Sequence, residues 1–229
     1  MKDGKVFKYL LYALGEIALV VIGILIALSL NNGNDLKKKV QREKILLKEL
    51  VANLETNIKN LQKDVDTQTI SYGSILYVID HMEQKRGFFD SLPKVLQNAN
   101  FAPDVILASS SYETLKSSGL ELIKKDTVRR TIFNLFEVVY PNLMQETKRL
   151  EDQLWPSLVM PLYQKHMRNV NDTWVPVDYE AWINDEEFIN MLSFRGSLRK
   201  NSTKLKREAA ISTQAVIDLI NQELKQDFR

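Results

Sequence analysis

The chain has 229 residues, of which 45% are hydrophobic and 26% charged, and it contains no cysteine. This composition excludes a disordered or low-complexity chain and a disulfide scaffold. Lysine and arginine number 31 against 29 acids, so the charge balance does not favour nucleic acid as a partner.

The first predicted element is an apolar helix that crosses a membrane. Residues 9–30 form a nearly unbroken apolar run with one acid, Glu16. As a helix this run is about 33 Å long, which matches a hydrocarbon core of about 30 Å. The part after Glu16 is too short to cross alone, so Glu16 must lie in the membrane or at its edge. No small-residue cleavage site follows, which favours an uncleaved anchor over a signal peptide.

One face of this helix carries small residues together with the acid. Successive positions are three or four residues apart, and Gly23 and Ala27 form the small-xxx-small pattern that lets membrane helices approach closely. The stripe predicts a homo-oligomer or a membrane-protein partner. Two alternatives stay open for Glu16: it sets the depth of the helix, or it serves an ion-conducting or force-transducing complex. The stripe consists of Ala13, Glu16, Val20, Gly23, Ala27 and Leu30.

Two motifs resemble those of a known family. Residues 8–17 are KYLLYALGEI, and LVVIGILIAL and the tetrapeptide NNGN follow. This run resembles the signature GEIxLVVIGILIALxxNNxN of an uncharacterised family of single-span membrane proteins from Bacteroidota. Gly33 and Ser29 depart from that family's usual Trp and Gln. The segment from Tyr112 to Ile123, with Arg129, resembles its second signature. The resemblance implies one span followed by a helical domain, and it implies no activity.

The resemblance and the flanking charges together predict a location. Lysines precede the apolar run and a basic cluster follows it, so the positive-inside bias is tied. Long domains translocate largely regardless of flanking charge, whereas a tail with three lysines would cross against the potential. We therefore expect a single-pass protein of the bacterial inner membrane, in contact with the lipid bilayer, whose helical domain is periplasmic rather than cytoplasmic.

A long helix is predicted over residues 35–84, continuing from the span. Residues 31–34 can cap or interrupt the run, and we expect at most a kink there. Mostly apolar residues then recur at spacings of three and four, which predicts a core face or a coiled-coil seam. They are Val40, Leu47, Val51, Leu54, Ile58, Leu61, Val65, Gln68, Tyr72, Ile75, Ile79 and Met82.

Shorter helices are predicted after a connector at residues 87–104. Ser110 and Glu113 match a capping box, which opens a helix that ends at Gly119. Asp126 or Thr127 is expected to cap the next helix. That helix should kink or divide, because prolines cannot donate its internal hydrogen bonds. These prolines are Pro141, Pro156 and Pro161.

A final long helix is predicted after a polar loop at residues 169–177. Asp178 should open a short turn, and Asn184 should cap the last helix. The predicted apolar face of that helix consists of Phe188, Met191, Leu192, Leu198, Leu205, Ala209, Val216, Leu219, Ile220 and Leu224.

A basic cluster lies within this last helix. Residues 189–207 contain six basic side chains and no acid. Such a cluster predicts either a solvated face or a patch that binds an anionic lipid or an acidic partner. The six residues are Arg195, Arg199, Lys200, Lys204, Lys206 and Arg207.

Recognisable catalytic motifs are absent from the sequence. It has no phosphate-binding glycine loop, and His81 and His166 stand outside any metal-ligand pattern. We therefore expect no cofactor, no metal and no enzymatic activity. A membrane-tethered enzyme stays open as an alternative, and it would need a polar pocket near residues 155–166 and Trp174.

Together these features predict an all-α protein. Residues 1–32 form the N-terminal tail and transmembrane helix, and residues 33–229 form an antiparallel helical bundle with one long helix continuing from the span. The expected function is that of a membrane-anchored interaction or sensor-like module, either self-associating or accessory to a larger membrane complex.

Overall fold

Helices dominate the fold. The computed structural model describes residues 3–101, 104–171 and 173–226, without the side chains of residues 3–13, 148–151 and 226. Contacts divide the chain into two units, Met1–Lys48 and Glu49–Arg229, and we call the second the helical unit. The helices are α1 (Asp3–Glu83), α2 (Leu92–Asn100), α3 (Ser110–Ser118), α4 (Asp126–Asn134), α5 (Tyr140–Leu154), α6 (Met160–His166), α7 (Tyr179–Ile183) and α8 (Glu186–Gln226).

The predicted long helix is confirmed, and it is continuous with the apolar run. Residues 31–34 lie inside α1 without a break. Asn31 donates its side-chain amide to Asp35 at 3.3 Å, one turn later, so a residue type that often ends helices is bonded here along the helix surface. We expect a domain boundary after residue 32 because the apolar run ends there. The division after Lys48 instead rests on contacts between residues.

The prolines divide the predicted middle helix, as expected from their missing amide protons. Two π-helical turns, Leu135–Val139 and Trp155–Val159, separate α4, α5 and α6. Tyr140 donates its amide to the Leu135 carbonyl, and Met160 donates to the Trp155 carbonyl. Each of these donors directly precedes a proline. Because proline has no amide proton, the π-helical hydrogen bonding ends at the residue before it.

The predicted polar loop at residues 169–177 is wrong, because a β-hairpin occupies most of it. β1 (Met167–Val170) pairs antiparallel with β2 (Thr173–Pro176). Asn171 adopts a left-handed φ of 51° in the turn, a conformation that asparagine tolerates. Trp174 stands edge-on to Tyr163, with ring centroids 5.3 Å apart. The aromatic contact thus anchors a short hairpin that composition alone did not indicate.

The predicted caps at Ser110 and Asn184 are wrong. The Ser110 hydroxyl donates to Asn53 of α1 at 3.0 Å, and α3 begins without a side-chain cap. At α8 it is Asp185, not Asn184, whose carboxylate accepts the Phe188 amide at 2.9 Å.

The predicted cap of α4 is also wrong, because α4 begins at Asp126 itself without a side-chain cap. Asp126 instead pairs with Arg129 and Arg130 within its own helix. The predicted cap at Asp178 is confirmed, since its carboxylate accepts the Ala181 amide at 3.0 Å.

Within the helical unit, α1 and α8 run antiparallel beside each other. Lys85, just after the end of α1, contacts Asn184 just before α8, and Lys206 of α8 contacts Asp64 of α1. Gly196 lies so close to α1 that an added Cβ would meet Ile75 Cγ2 at 3.3 Å. The two helices therefore approach closely at Gly196, which has no side chain.

Asparagines of α1 hold an extended segment against that helix. Asn57 is buried, donating to the Ala108 carbonyl at 3.0 Å and accepting the Ala108 amide at 2.6 Å. Asn60 donates to the Ile106 carbonyl at 2.8 Å, and Asn53 accepts the Ser111 amide at 3.3 Å. Because these asparagines are three and four residues apart, they lie on one face of α1 and bind the backbone of residues 106–111.

Two apolar clusters form much of the core of the helical unit. The larger one includes Ile75 of α1, Leu96 of α2, Tyr163 of α6 and Trp182 of α7. The smaller one joins Leu61 of α1, Leu143 of α5 and Ala209 of α8 with Val105. Between Leu61 and Ile75 on α1, the buried positions include polar residues, namely Asp64, Gln68 and Ser71.

Candidate functional site

The predicted membrane stripe lies on exposed helix surface where its side chains are described. Glu16, Val20, Gly23 and Ala27 are exposed on α1, and the side chain of Ala13 lies outside the described part. A Cβ added at Gly23 would meet nothing within 4 Å. The described part of the stripe is therefore open to a second helix.

The six basic residues predicted as one patch are divided between two environments. Arg195, Arg199 and Lys206 are buried, with exposed fractions of 0%, 2% and 1%. Lys200, Lys204 and Arg207 are exposed. The division follows helical geometry, because the buried residues share one face of α8 and the exposed ones lie on the other side.

The buried basic residues continue the core stripe of α8. Below Leu192 the inward positions are Arg195, Arg199, Ser202 and Lys206, at spacings of four, three and four residues, and Ala209 follows. Leu198 and Leu205, which were predicted to be in the core, are only half-buried. The signal was present in the sequence, since basic residues occupy the very positions at which the apolar spacing predicts core side chains.

These residues line a cavity of about 360 Å³ among α1, α2, α5 and α8. We call it the cationic cavity. Its buried lining is Gln68, Arg195, Arg199, Ser202 and Lys206. Its more exposed lining is Asn100, Asp104, Thr147, Asp152 and Trp155. The cationic side chains thus lie at the depth of the cavity, and the carboxylates lie at its mouth.

Lys206 forms a buried ion pair with Asp64 of α1. Gln68 donates its amide to the same carboxylate at 3.0 Å, and the Gln68 carbonyl oxygen is buried with no hydrogen bond to described protein atoms. Burial lowers the pKa of Lys206, and the positive charge of Arg199 adds to this shift, whereas Asp64 and the more distant charge of Asp104 oppose it. The neighbouring cations therefore repel each other across this wall of the cavity.

Neighbours that hold Arg195 in place include Asn100, Trp155 and Tyr163. Its guanidinium donates to the Asn100 side-chain oxygen at 2.8 Å and to the Asn100 carbonyl at 3.2 Å. It also lies over the Trp155 ring, 5.7 Å from the centroid, a favourable cation–π contact. Burial raises the pKa of the Tyr163 hydroxyl, and the charge of Arg195 beside it opposes that shift. The guanidinium is thus oriented before any ligand arrives.

The two histidines lie against the larger apolar cluster, His81 beside the Trp182 ring and His166 beside the Phe188 ring, and away from the cavity lining. His81 Nε2 lies 2.7 Å from the Tyr179 hydroxyl, which itself donates to the Arg86 carbonyl, so Nε2 carries the proton in this bond. Burial lowers the pKa of His81, as does the charge of Arg86, and Asp80 partly opposes them. His166 contacts Asp185 at 2.6 Å. Among the described residues, no group of three or more His, Asp and Glu side chains could hold a metal ion.

The fold assigns the chain to a class of protein, and a comparison with known families assigns it to a family. The chain is a helical protein, and among its described residues one helix is long and apolar enough, by length and composition, to cross a membrane. It belongs to the family of unknown function DUF6090, whose model matches residues 16–195. No curated protein and no solved structure matches the chain. Family membership confirms the expectation of an uncharacterised family.

Proposed function

We propose that this protein is a non-enzymatic, membrane-anchored sensor or interaction module that self-associates through its membrane helix or joins a larger membrane complex. The observation that carries the proposal is the apolar surface of α1. All side chains of residues 14–30 are exposed, although the run is almost wholly apolar. An exposed apolar surface of this length is stable in lipid and unstable in water.

The packing near residues 155–166 supports a non-enzymatic role. Val159, Leu162 and Tyr163 are buried in the larger apolar cluster, and Trp174 packs against it. Side chains therefore fill the region around residues 159–163, whereas Trp155 lies at the edge of the cationic cavity.

The proposed location is a bacterial inner membrane with the helical unit in the periplasm. The flanking basic residues do not decide the orientation, and the long helical unit translocates largely regardless of charge. Fusing alkaline phosphatase or green fluorescent protein after residue 229 tests this. Phosphatase activity with a dark fluorescent fusion is expected, and the reverse pattern contradicts the orientation. A fusion protein released from membranes by alkaline carbonate contradicts the anchor.

Self-association is tested on the stripe with matched substitutions. Gly23→Leu or Glu16→Leu should change the oligomer mass in mild detergent, because each replaces a residue of the close-packing face. Gly15→Leu is the control, since position 15 lies about a quarter turn around the helix from Glu16 and Gly23. An unchanged mass in both stripe variants would contradict the seam. A membrane protein that copurifies in fixed ratio would make the chain an accessory subunit, and loss of that complex's activity in Glu16→Gln without loss of assembly would assign Glu16 an ionisable role.

A further inference from the structure

We propose that the cationic cavity binds a small organic anion, whose carboxylate or phosphate lies between the guanidiniums of Arg195 and Arg199. The proposal deepens the sensor role proposed above, because it names the chemistry that the helical unit would detect. It stands on the position, burial and orientation of these side chains in one cavity.

The first argument is the burial of like charges on one face of α8. Arg195 and Arg199 lie four residues apart, so their side chains are neighbours, and Lys206 lies further along the same face. Buried cations that adjoin each other repel, and burial itself disfavours the charged form. An anion near the two guanidiniums would add to the favourable negative charge that Asp104 already supplies at this wall. Arginine suits this role because its planar fork matches a carboxylate or a phosphate.

The second argument is the shape and the lining of the cavity. A volume of about 360 Å³ falls within the range typical of small-molecule sites. The Ser202 hydroxyl and the free Gln68 carbonyl oxygen are buried in its wall and suit the polar groups of an organic ligand. Asn100 and Trp155 already orient Arg195, so binding costs little reorganisation.

The third argument concerns the charge that the ligand can carry. Asp104 and Asp152 line the cavity on its exposed side. Their carboxylates repel a multiply charged anion as it enters, whereas a monoanion, or an anion that also carries a cationic group, meets less opposition. The cavity therefore favours small monoanions and zwitterions over polyanions.

The test measures anion binding by the full-length chain in a non-ionic detergent at constant ionic strength. Acetate and inorganic phosphate are the probes, because they separate the two acid chemistries, and glycine tests the zwitterion. Binding is followed by calorimetry and by the fluorescence of Trp155, which is assigned with a Trp155→Phe variant. We expect saturable binding of at least one probe at concentrations below about 50 mM.

Three variants locate the binding. Arg199→Gln should weaken binding about 10-fold or more, since it removes charge-assisted hydrogen bonds. Lys204→Gln is the matched control on the exposed face of α8 and should leave affinity unchanged. Asp152→Asn removes a negative charge at the mouth and should tighten binding about twofold or more. Because Asp152 is exposed, this variant remains informative even where Arg199→Gln does not fold.

The proposal is overturned if no probe binds saturably, if Arg199→Gln binds as tightly as Lys204→Gln, or if Asp152→Asn leaves the affinity unchanged. Binding in detergent does not require the membrane stripe to act as a seam. If the anion-binding test fails while the oligomer and fractionation results are as expected, the proposed ligand is therefore rejected and the proposed membrane anchor stands.

Discussion

Lys206 of α8 and Asp64 of α1 form an ion pair whose side chains are almost wholly buried, at 2% and 6% exposure. Removing one partner of such a pair leaves an uncompensated charge in the core, whereas replacing both by apolar groups often costs little. Lys206→Met should therefore lower the free energy of unfolding by about 3 kcal/mol, and adding Asp64→Leu should recover most of this loss.

Urea unfolding in detergent, followed by circular dichroism, checks the ion-pair prediction. Lys204→Met is the matched control, because the Lys204 side chain is exposed and its contact with Glu208 is long, at 3.9 Å. We expect the control to change stability by less than about 0.5 kcal/mol. Equal losses in the two single variants would contradict a structural role for the buried pair.

The asparagine contacts of α1 give a second prediction. Asn57→Ala should destabilise the helical unit by about 2 kcal/mol, because the half-buried amide and carbonyl of Ala108 both lose their bond to the buried Asn57 side chain. The Ala108 amide should then exchange its hydrogen faster, as measured by hydrogen exchange. Thr56→Ala is the control, since its exposed hydroxyl bonds to the Ala52 carbonyl of the same helix. Unchanged protection at Ala108 would show that Asn57 does not hold this segment.

Two glycines should respond to alanine with opposite signs. Gly119 ends α3 with a φ of 95°, and a Cβ there would also meet the Glu121 carboxylate, so Gly119→Ala should cost about 1 kcal/mol or more. Gly73 lies inside α1, where an added Cβ meets nothing within 4 Å, so Gly73→Ala should stabilise by roughly 0.5–1 kcal/mol. Thermal unfolding of the two variants measures both changes. Stabilisation by Gly119→Ala would refute the backbone argument at Gly119, and destabilisation by Gly73→Ala would refute the argument at Gly73.

The helices were predictable because the apolar spacing of three and four residues is a local property of the sequence. The C-terminal end of α1, the division at the prolines and the stop at Gly119 depend on residues within a turn or two, and spacing and residue type report these. Ser110 shows where local reasoning fails. Its partner is Asn53, on another helix, so a pattern that matches a capping box was recruited for a tertiary contact.

The cationic cavity was not predicted as such because burial of a charged residue depends on what packs against it. Arg195 and Lys204 are both basic residues on one helix, and composition alone assigns both to the surface. The spacing of Arg195, Arg199 and Lys206 in the sequence indicates that they share one face of the helix. Their acceptors and neighbours come from three other parts of the chain, namely Asn100, Trp155 and Asp64. A sequence pattern can indicate which face a residue shares, and it cannot indicate its partners.

Asp185 gives the prediction on pH dependence. Burial raises the pKa of its carboxyl, but hydrogen bonds from Lys165, the Phe188 amide and His166 outweigh burial and lower the pKa from 3.8 to about 2. A carboxyl whose pKa is lowered by folding stabilises the native state above its unfolded pKa, and this contribution disappears as pH falls through the folded pKa. Asp185 should therefore contribute about 1–2 kcal/mol above pH 4, which is lost between about pH 4 and pH 2.

Asp185→Asn tests this, because an asparagine can still accept the Phe188 amide while it loses the charge that pairs with Lys165 and His166. The difference in unfolding free energy between this variant and the wild type should shrink as pH falls from about 4 to about 2. Glu55→Gln, at an exposed position of α1, is the control and should show no such convergence. A constant difference across this window would mean that Asp185 stabilises α8 as a helix cap alone, without a contribution from its charge.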